Sequence, residues 1–136
     1  MIVGIGTDLV DIRRIEKSFE RFGHTFSNRI FTPEEQNFCD SRGGKKRISA
    51  YAMRFAAKEA CSKALGTGLR QGVFWKDMKV GHLDSGKPVM SLTGGALKRL
   101  NTLLQDGFTP QIDVSLTDEY PYAMAVVIIS ADLKKE

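Results

Sequence analysis

The spacing of hydrophobic residues predicts five strands. An apolar segment near the N-terminus is interrupted by glycines, which is typical of a buried strand. Past Gly68, short apolar segments alternate with polar turns, and the loop Asp84–Lys87 has the composition of a hairpin connection. The predicted strands are 2–9, 78–83, 88–92, 111–116 and 122–130.

Helical periodicity and capping signals predict four helices. Apolar residues recur at helical spacing from Ile12, and Gly23 supplies a stop. Thr32, Pro33 and Glu35 have the spacing of a capping box, and a flexible basic segment is expected after Asp40. The predicted helices are 12–22, 33–40, 48–65 and 96–104. Together with the strands they predict an α+β fold, in one domain spanning 1–136, with a small, mainly antiparallel sheet.

Composition narrows the classes of function. The chain has 136 residues, 42% of them hydrophobic, and a formal net charge of +4, which favours an anionic partner such as nucleic acid, an acidic protein or a phosphorylated small molecule. No apolar segment reaches the length of about 18 residues that a membrane helix needs. The N-terminus lacks the pattern of a signal peptide, so we expect a cytoplasmic protein with Cys39 and Cys61 reduced.

The helix 54–63 is the segment richest in reactive side chains. Arg54, Lys58, Glu59, Ser62 and Lys63 fall within about half of its circumference, and the intervening alanines permit another element to pack closely. One interpretation is a face that binds phosphate groups. The alternative, which charge alone favours, is a solvated face on which Glu59 and Lys63 form an ordinary i, i+4 pair.

Two shorter segments permit both a structural and a functional interpretation. Gly66 and Gly68 follow the basic helix, where they can admit a phosphate close to the backbone or simply end the helix. Asp8 ends an apolar strand, where it can cap the next helix or bind a metal ion. Mg²⁺ often takes only one or two protein carboxylates, so Asp8 and Glu59 would suffice if the fold brings them together.

Several blocks of the sequence, in the same order, resemble holo-acyl-carrier-protein synthases. They span nearly the whole chain and are highly specific in combination. The blocks are Gly4–Val10, Arg54–Ala60, Lys63–Gly68, Gly86–Pro88, Val114–Asp118 and Tyr122–Ala123. The resemblance implies a 4'-phosphopantetheinyl transferase-like fold. It also implies transfer of the phosphopantetheine arm of coenzyme A to a serine of apo-acyl carrier protein, with release of adenosine 3',5'-bisphosphate, in fatty acid biosynthesis.

The resemblance assigns roles to individual residues. Asp8 and Glu59 would hold Mg²⁺, while Lys63 would neutralise the transferred or leaving phosphate. Arg54 and Lys58 would neutralise other anionic groups of coenzyme A. The nucleotide pocket would be shaped by Gly66, Gly68 and Pro88. Either Glu59 or a hydroxide on the metal could deprotonate the carrier serine, and the sequence does not choose between them.

The resemblance also implies protein partners. Acyl carrier proteins are acidic, so Arg14 and Arg21 on the first helix would align the carrier. The family is typically a homotrimer with sites between subunits.

Many relatives have histidine where this chain has Asp118, which puts any role of an imidazole there in doubt. The competing interpretation of a nucleic-acid-binding module draws on the net charge and Lys45–Arg47, but the aromatic residues are dispersed and no RNA-binding motif is present.

Overall fold

The computed structural model of the chain describes residues 1–135, which form five strands and five α-helices. A short 3₁₀-helix, Trp75–Asp77, precedes the second strand. The strands are β1 (Ile2–Asp11), β2 (Met78–His82), β3 (Pro88–Leu92), β4 (Phe108–Glu119) and β5 (Tyr122–Leu133). The helices are α1 (Ile12–Phe22), α2 (His24–Ile30), α3 (Pro33–Arg42), α4 (Gly44–Ala64) and α5 (Gly94–Thr102).

The strands form two antiparallel sheets. The larger has the order β1-β5-β4, and the smaller is the hairpin β2-β3. The central strand β5 buries alternate residues, from Ala123 to Ala131, against the long helix α4. The predicted α+β class, with a small antiparallel sheet packed on a long helix, is confirmed.

Helix boundaries follow from local capping. Asp11 caps α1 by accepting a hydrogen bond from the Arg13 amide, and Gly23 ends the helix as predicted. The capping box of α3 is complete, because Thr32 and Glu35 each accept a hydrogen bond from the other's backbone N–H. These helices therefore begin where the sequence predicts.

The sequence analysis missed one helix and assigned one helical segment wrongly. The helix α2 was not predicted because no side chain caps its N-terminus. With only seven residues, it is also too short to show a helical period of apolar residues. The predicted flexible segment 41–47 is largely helical, since α3 continues to Arg42 and α4 begins at Gly44. Among the described residues, no helix is long and apolar enough to cross a membrane.

Candidate active site

The strand β1 and the helix α4 cross with their backbones nearly in contact. A Cβ atom added to Gly4 would lie 2.1 Å from the Ala64 carbonyl oxygen, and one added to Gly6 would lie 1.9 Å from that of Ala60. No residue other than glycine fits at either position. The predicted close packing on the alanines of α4 is therefore confirmed.

This crossing brings Asp8 beside the side chains of α4. Asp8 points in the same direction as Gly6, two residues earlier, so it extends over the same helix. The Lys63 ammonium donates hydrogen bonds to Asp8 Oδ1 at 3.1 Å and to the Thr7 carbonyl oxygen at 3.0 Å. Asp8 does not cap α1, because Asp11 does so. The capping role that the sequence left open for Asp8 is therefore excluded, and its role as a metal ligand stays a prediction.

Glu59 completes a group of two carboxylates and one ammonium. Its side chain is half-buried, and burial raises the pKa of Glu59 while the charge of Asp8 raises it further and Lys63 opposes both. Two carboxylates that repel each other are a suitable pair of ligands for a divalent cation. Within residues 1–135 no three His, Cys, Asp or Glu side chains converge on one point, so any metal here would take its remaining ligands from water or substrate.

A second feature is a cleft of about 680 Å³ between the helices and the hairpin. Its walls come from α3, the start of α4, the β2-β3 hairpin and the end of β4. The cationic and imidazole side chains along it are Arg42, Lys45, Lys46, Arg54 and His82, and Asp118 is its single carboxylate. The cleft is therefore suited to a polyanionic ligand. Neither Asp8 nor Glu59 lines it.

Arg54 lies deep in this cleft, and its predicted contact with an anion stays a prediction. Only 5% of the residue is exposed, and its guanidinium stacks 4.3 Å from the centre of the Phe38 ring. Its Nη1 donates to the Ala50 carbonyl oxygen, while its Nε has no partner among the described residues. A buried donor without a partner is costly, so a ligand that accepted from it would gain an interaction already oriented by the fold.

The structure contradicts the predicted contact between Lys58 and coenzyme A. The side chain is fully buried, and its ammonium already donates to Glu35 Oε1 at 2.7 Å, the Ile30 carbonyl at 2.9 Å and the Trp75 carbonyl at 3.1 Å. An ammonium has three donors, and all three are used. Burial lowers the pKa of Lys58, and Glu35 counteracts this effect. The helix periodicity placed Lys58 beside Arg54 and Ser62 correctly, but all three face inward.

The three residues predicted to shape the nucleotide pocket are separated in this chain. Pro88 lines the cleft together with Gly86. Gly66 and Gly68 follow α4 elsewhere, with φ angles of +82° and +64°, and do not line the cleft. Both glycines adopt left-handed backbone conformations, and the Gly68 amide bonds to the Ser62 carbonyl, so ending the helix accounts for them within one chain.

Arg14 and Arg21 are both exposed on α1, on the side opposite the buried Ile12 and Ile15. Arg13, by contrast, is bound to the Asp11 carboxylate at 2.7 Å. The ion pair lowers the pKa of Asp11 to about 2. Arg14 and Arg21 are thus exposed, and their contact with a partner stays a prediction.

Sequence reasoning missed several lining residues of the cleft. Arg42, Lys45 and Lys46 were included in a flexible segment, and His82 was assigned no role. The cluster of basic residues at 42–47 was the available signal. It could have been assigned to a binding wall only if α4 had been predicted to begin at Gly44.

Comparison with known proteins gives the class to which this fold and site belong. A family model described as the 4'-phosphopantetheinyl transferase superfamily matches residues 4–125. The chain therefore belongs to the 4'-phosphopantetheinyl transferase superfamily. It is 60% identical to the holo-[acyl-carrier-protein] synthase of Xanthobacter autotrophicus over 131 residues, which is 96% of each chain. It is 58% identical to that of Chelativorans sp., again over 131 residues.

Solved structures agree with this assignment. The holo-[acyl-carrier-protein] synthase of Neisseria meningitidis superposes with a TM-score of 0.82 at 37% identity, over 96% of this chain and 99% of that one. The Helicobacter pylori enzyme, which was solved in complex with coenzyme A, gives a TM-score of 0.78 at 31% identity, over 93% and 99%. The resemblance found in the sequence is confirmed.

Proposed function

We propose that this chain is a holo-acyl-carrier-protein synthase. It transfers the 4'-phosphopantetheine moiety of coenzyme A to a serine hydroxyl of apo-acyl carrier protein and releases adenosine 3',5'-bisphosphate. The observation that carries the proposal is the meeting of Asp8, Glu59 and Lys63 at the crossing of β1 and α4, in a chain of this family. Residues 1–136 would act as one transferase domain.

The carboxylate pair fits a magnesium ion. Asp8 and Glu59 supply two hard oxygen ligands, and their mutual repulsion would be relieved by a bound cation. Held by Asp8 and Glu59, a magnesium ion would supply positive charge that neutralises the pyrophosphate during transfer. Asp8 and Glu59 are therefore the proposed metal ligands.

The cationic side chains of this chain would hold the donor's phosphates. Lys63 would leave Asp8 to neutralise the transferred or leaving phosphate, for which an exposed ammonium on a flexible stem is suited. The partnerless Nε–H of Arg54 and the ammonium groups of Lys45 and Lys46 would donate hydrogen bonds to the phosphate oxygens of the nucleotide portion. Positioning and charge neutralisation would account for most of the rate.

A homotrimer with sites between subunits would explain why the Asp8–Glu59 pair and the basic cleft lie apart within one chain. The carboxylate pair and the basic cleft do not share lining residues, so a neighbouring subunit could bring its cleft to this subunit's Asp8 and Glu59. The outer face of the large sheet offers an apolar surface for such contact: Ile5 is 63% exposed and Leu9 65%, and Leu9 pairs with the exposed Met124.

The carrier would dock on α1. Arg14 and Arg21, seven residues apart on one exposed face, suit an acidic helix next to the modified serine. We further propose that the reaction serves fatty acid biosynthesis and that the enzyme acts in the cytoplasm. A carrier domain of polyketide or peptide synthesis would present the same chemistry to the site.

Release of adenosine 3',5'-bisphosphate tests the proposal. The chain is incubated with coenzyme A, Mg²⁺ and apo-acyl carrier protein, and the nucleotide is quantified by chromatography. We expect one nucleotide released per carrier, and none with a carrier whose acceptor serine is alanine. Nucleotide release that is the same with both carriers would show hydrolysis instead of transfer and would contradict the proposal.

A further inference from the structure

Lys58 and Glu35 form an ion pair deep inside the protein. Among the ion pairs of residues 1–135, it is the one whose two side chains are both fully buried. Besides Glu35, the Lys58 ammonium holds the last carbonyl of α2, at Ile30, and the first carbonyl of the 3₁₀-helix, at Trp75. A single side chain of α4 therefore joins three other segments.

Glu35 extends this network in the opposite direction. Its Oε1 accepts from Lys58 Nζ at 2.7 Å and from the Thr32 amide at 2.8 Å, which completes the capping box of α3. Its Oε2 accepts from the Val80 amide of β2 at 2.8 Å. Oε1 thus binds α4 and the start of α3, and Oε2 binds β2, so Glu35 sets the distance between α3 and β2.

The elements joined in this way are walls of the basic cleft. Arg54 is one turn before Lys58 on α4, Phe38 is one turn after Glu35 on α3, and His82 is two residues after Val80 on β2. The Phe38 ring contacts both His82 and Arg54. Its centre lies 4.4 Å from the centre of the His82 ring and 4.3 Å from the Arg54 guanidinium carbon. A change in the spacing of any wall would therefore move Arg54 relative to the hairpin.

We infer that Lys58, acting through Glu35, is a positioning residue that fixes the β2-β3 wall of the cleft against α4, and so determines the affinity for the donor nucleotide. The inference rests on the proposed function, because the ligand of the cleft is taken to be coenzyme A. An apolar pair of equal volume could fill the space, and such replacements are often tolerated in folding. An apolar pair would, however, leave the Val80 amide and the Ile30 and Trp75 carbonyls without hydrogen-bond partners. The β2-β3 wall would then no longer be held at a fixed distance from α4.

Two variants and one matched control test the inference. Lys58→Met removes the ammonium and keeps most of its volume, whereas Glu35→Gln keeps the shape and removes the charge. Lys79→Met is the control, because Lys79 and Glu34 form an exposed pair, 3.8 Å apart, between the same strand β2 and helix α3. Coenzyme A affinity is measured by calorimetry with Mg²⁺, below the unfolding temperature of each variant. Hydrogen exchange of the Val80 amide is measured on the same samples without ligand.

For Lys58→Met we expect faster hydrogen exchange at the Val80 amide and a dissociation constant for coenzyme A that is higher on the order of tenfold or more. For Lys79→Met we expect wild-type values of both quantities. KM for coenzyme A should rise while KM for the carrier stays unchanged, which general loss of folded protein would not produce. If Lys58→Met does not fold, Glu35→Gln decides by the same criteria.

A folded variant with faster Val80 exchange but wild-type coenzyme A affinity would overturn the inference. So would unchanged Val80 exchange in a folded variant. Failure of the wild-type chain to bind coenzyme A would instead refute the proposed function itself, together with the inference built on it.

Discussion

The Lys63 ammonium lies 3.1 Å from Asp8 Oδ1, although the two residues are 55 positions apart in the chain. The contact exists because Gly4 and Gly6 let β1 lie directly on α4. Lys63 is half-exposed while Asp8 is largely shielded, so the lysine can leave and the carboxylate cannot. The pair therefore combines a fixed carboxylate with a mobile ammonium, which suits the proposed transfer of a phosphate group.

Loss of either carboxylate should abolish turnover. Asp8→Ala and Glu59→Ala each remove one of the two proposed magnesium ligands, and neither excess Mg²⁺ nor Mn²⁺ should restore activity. Steady-state transfer to apo-acyl carrier protein, with circular dichroism to verify folding, measures this. Asp106→Ala, which removes an exposed loop carboxylate, should retain full activity. Substantial activity in a folded Asp8→Ala variant would refute the proposed metal pair.

Glu59→Gln should stabilise the metal-free protein at neutral pH. The pKa of Glu59 is raised in the folded state by burial and by Asp8, so the folded state binds more protons than the unfolded state, and stability falls as pH rises past the ordinary pKa of glutamate. Thermal unfolding should give a higher Tm for Glu59→Gln at pH 7, with the difference vanishing below about pH 4.

Glu34→Gln provides a control of opposite sign for that experiment. The pKa of Glu34 is lowered by a backbone hydrogen bond at the start of α3 and by Lys79, so its charged form favours folding above the ordinary pKa. This variant should lose stability at pH 7 and match the wild type at low pH. Equal responses of the two variants to pH would contradict the electrostatic account of Glu59.

Gly6→Ala should destabilise the fold as well as the site. The added methyl group would meet the Ala60 carbonyl oxygen at 1.9 Å, so β1 must move away from α4. We expect a loss of about 2 kcal/mol or more in the free energy of unfolding, measured with urea. Gly81→Ala, whose methyl group would lie 3.7 Å from Val89 Cγ2, should change stability little. Similar stabilities for the two variants would refute the close backbone crossing.

Arg14→Glu should weaken carrier binding without altering the chemical site. Reversing one charge on the exposed face of α1 should raise KM for the acidic carrier about tenfold at low salt, and less at high salt, where screening is stronger. KM for coenzyme A should stay constant. Lys134→Glu makes the same charge change at the other end of the chain and should have little effect. An unchanged carrier KM for Arg14→Glu at low salt would contradict docking on α1.

The parts of the fold set by local chemistry were predictable from sequence. Capping by Thr32 and Glu35, and the stop at Gly23, need only neighbouring residues, so those boundaries agree with the structure. The seven-residue α2 was missed because it depends on tertiary packing of Phe26 and Ile30. The α+β class followed from the succession of hairpins and helices.

The site was predictable only in part, because helical periodicity gives the direction of a side chain and not its surroundings. Lys58 and Lys63 were both assigned to phosphate, yet one is fully buried against Glu35 and the other is exposed beside Asp8. The buried partner is 23 residues away, a separation that no local pattern encodes. The basic wall at 42–47 was hidden for a related reason, since its order depends on α4 beginning earlier than alanine content indicates.

The most direct test of the proposed activity is the intact mass of the acceptor. Apo-acyl carrier protein is incubated with this chain, coenzyme A and Mg²⁺, and then weighed by mass spectrometry beside reactions that contain Glu59→Ala or a chelator. With the wild-type chain, the carrier should gain the mass of one 4'-phosphopantetheine arm on its acceptor serine, and in the other two reactions it should gain none. A carrier of unchanged mass after incubation with the folded wild-type chain would contradict the account.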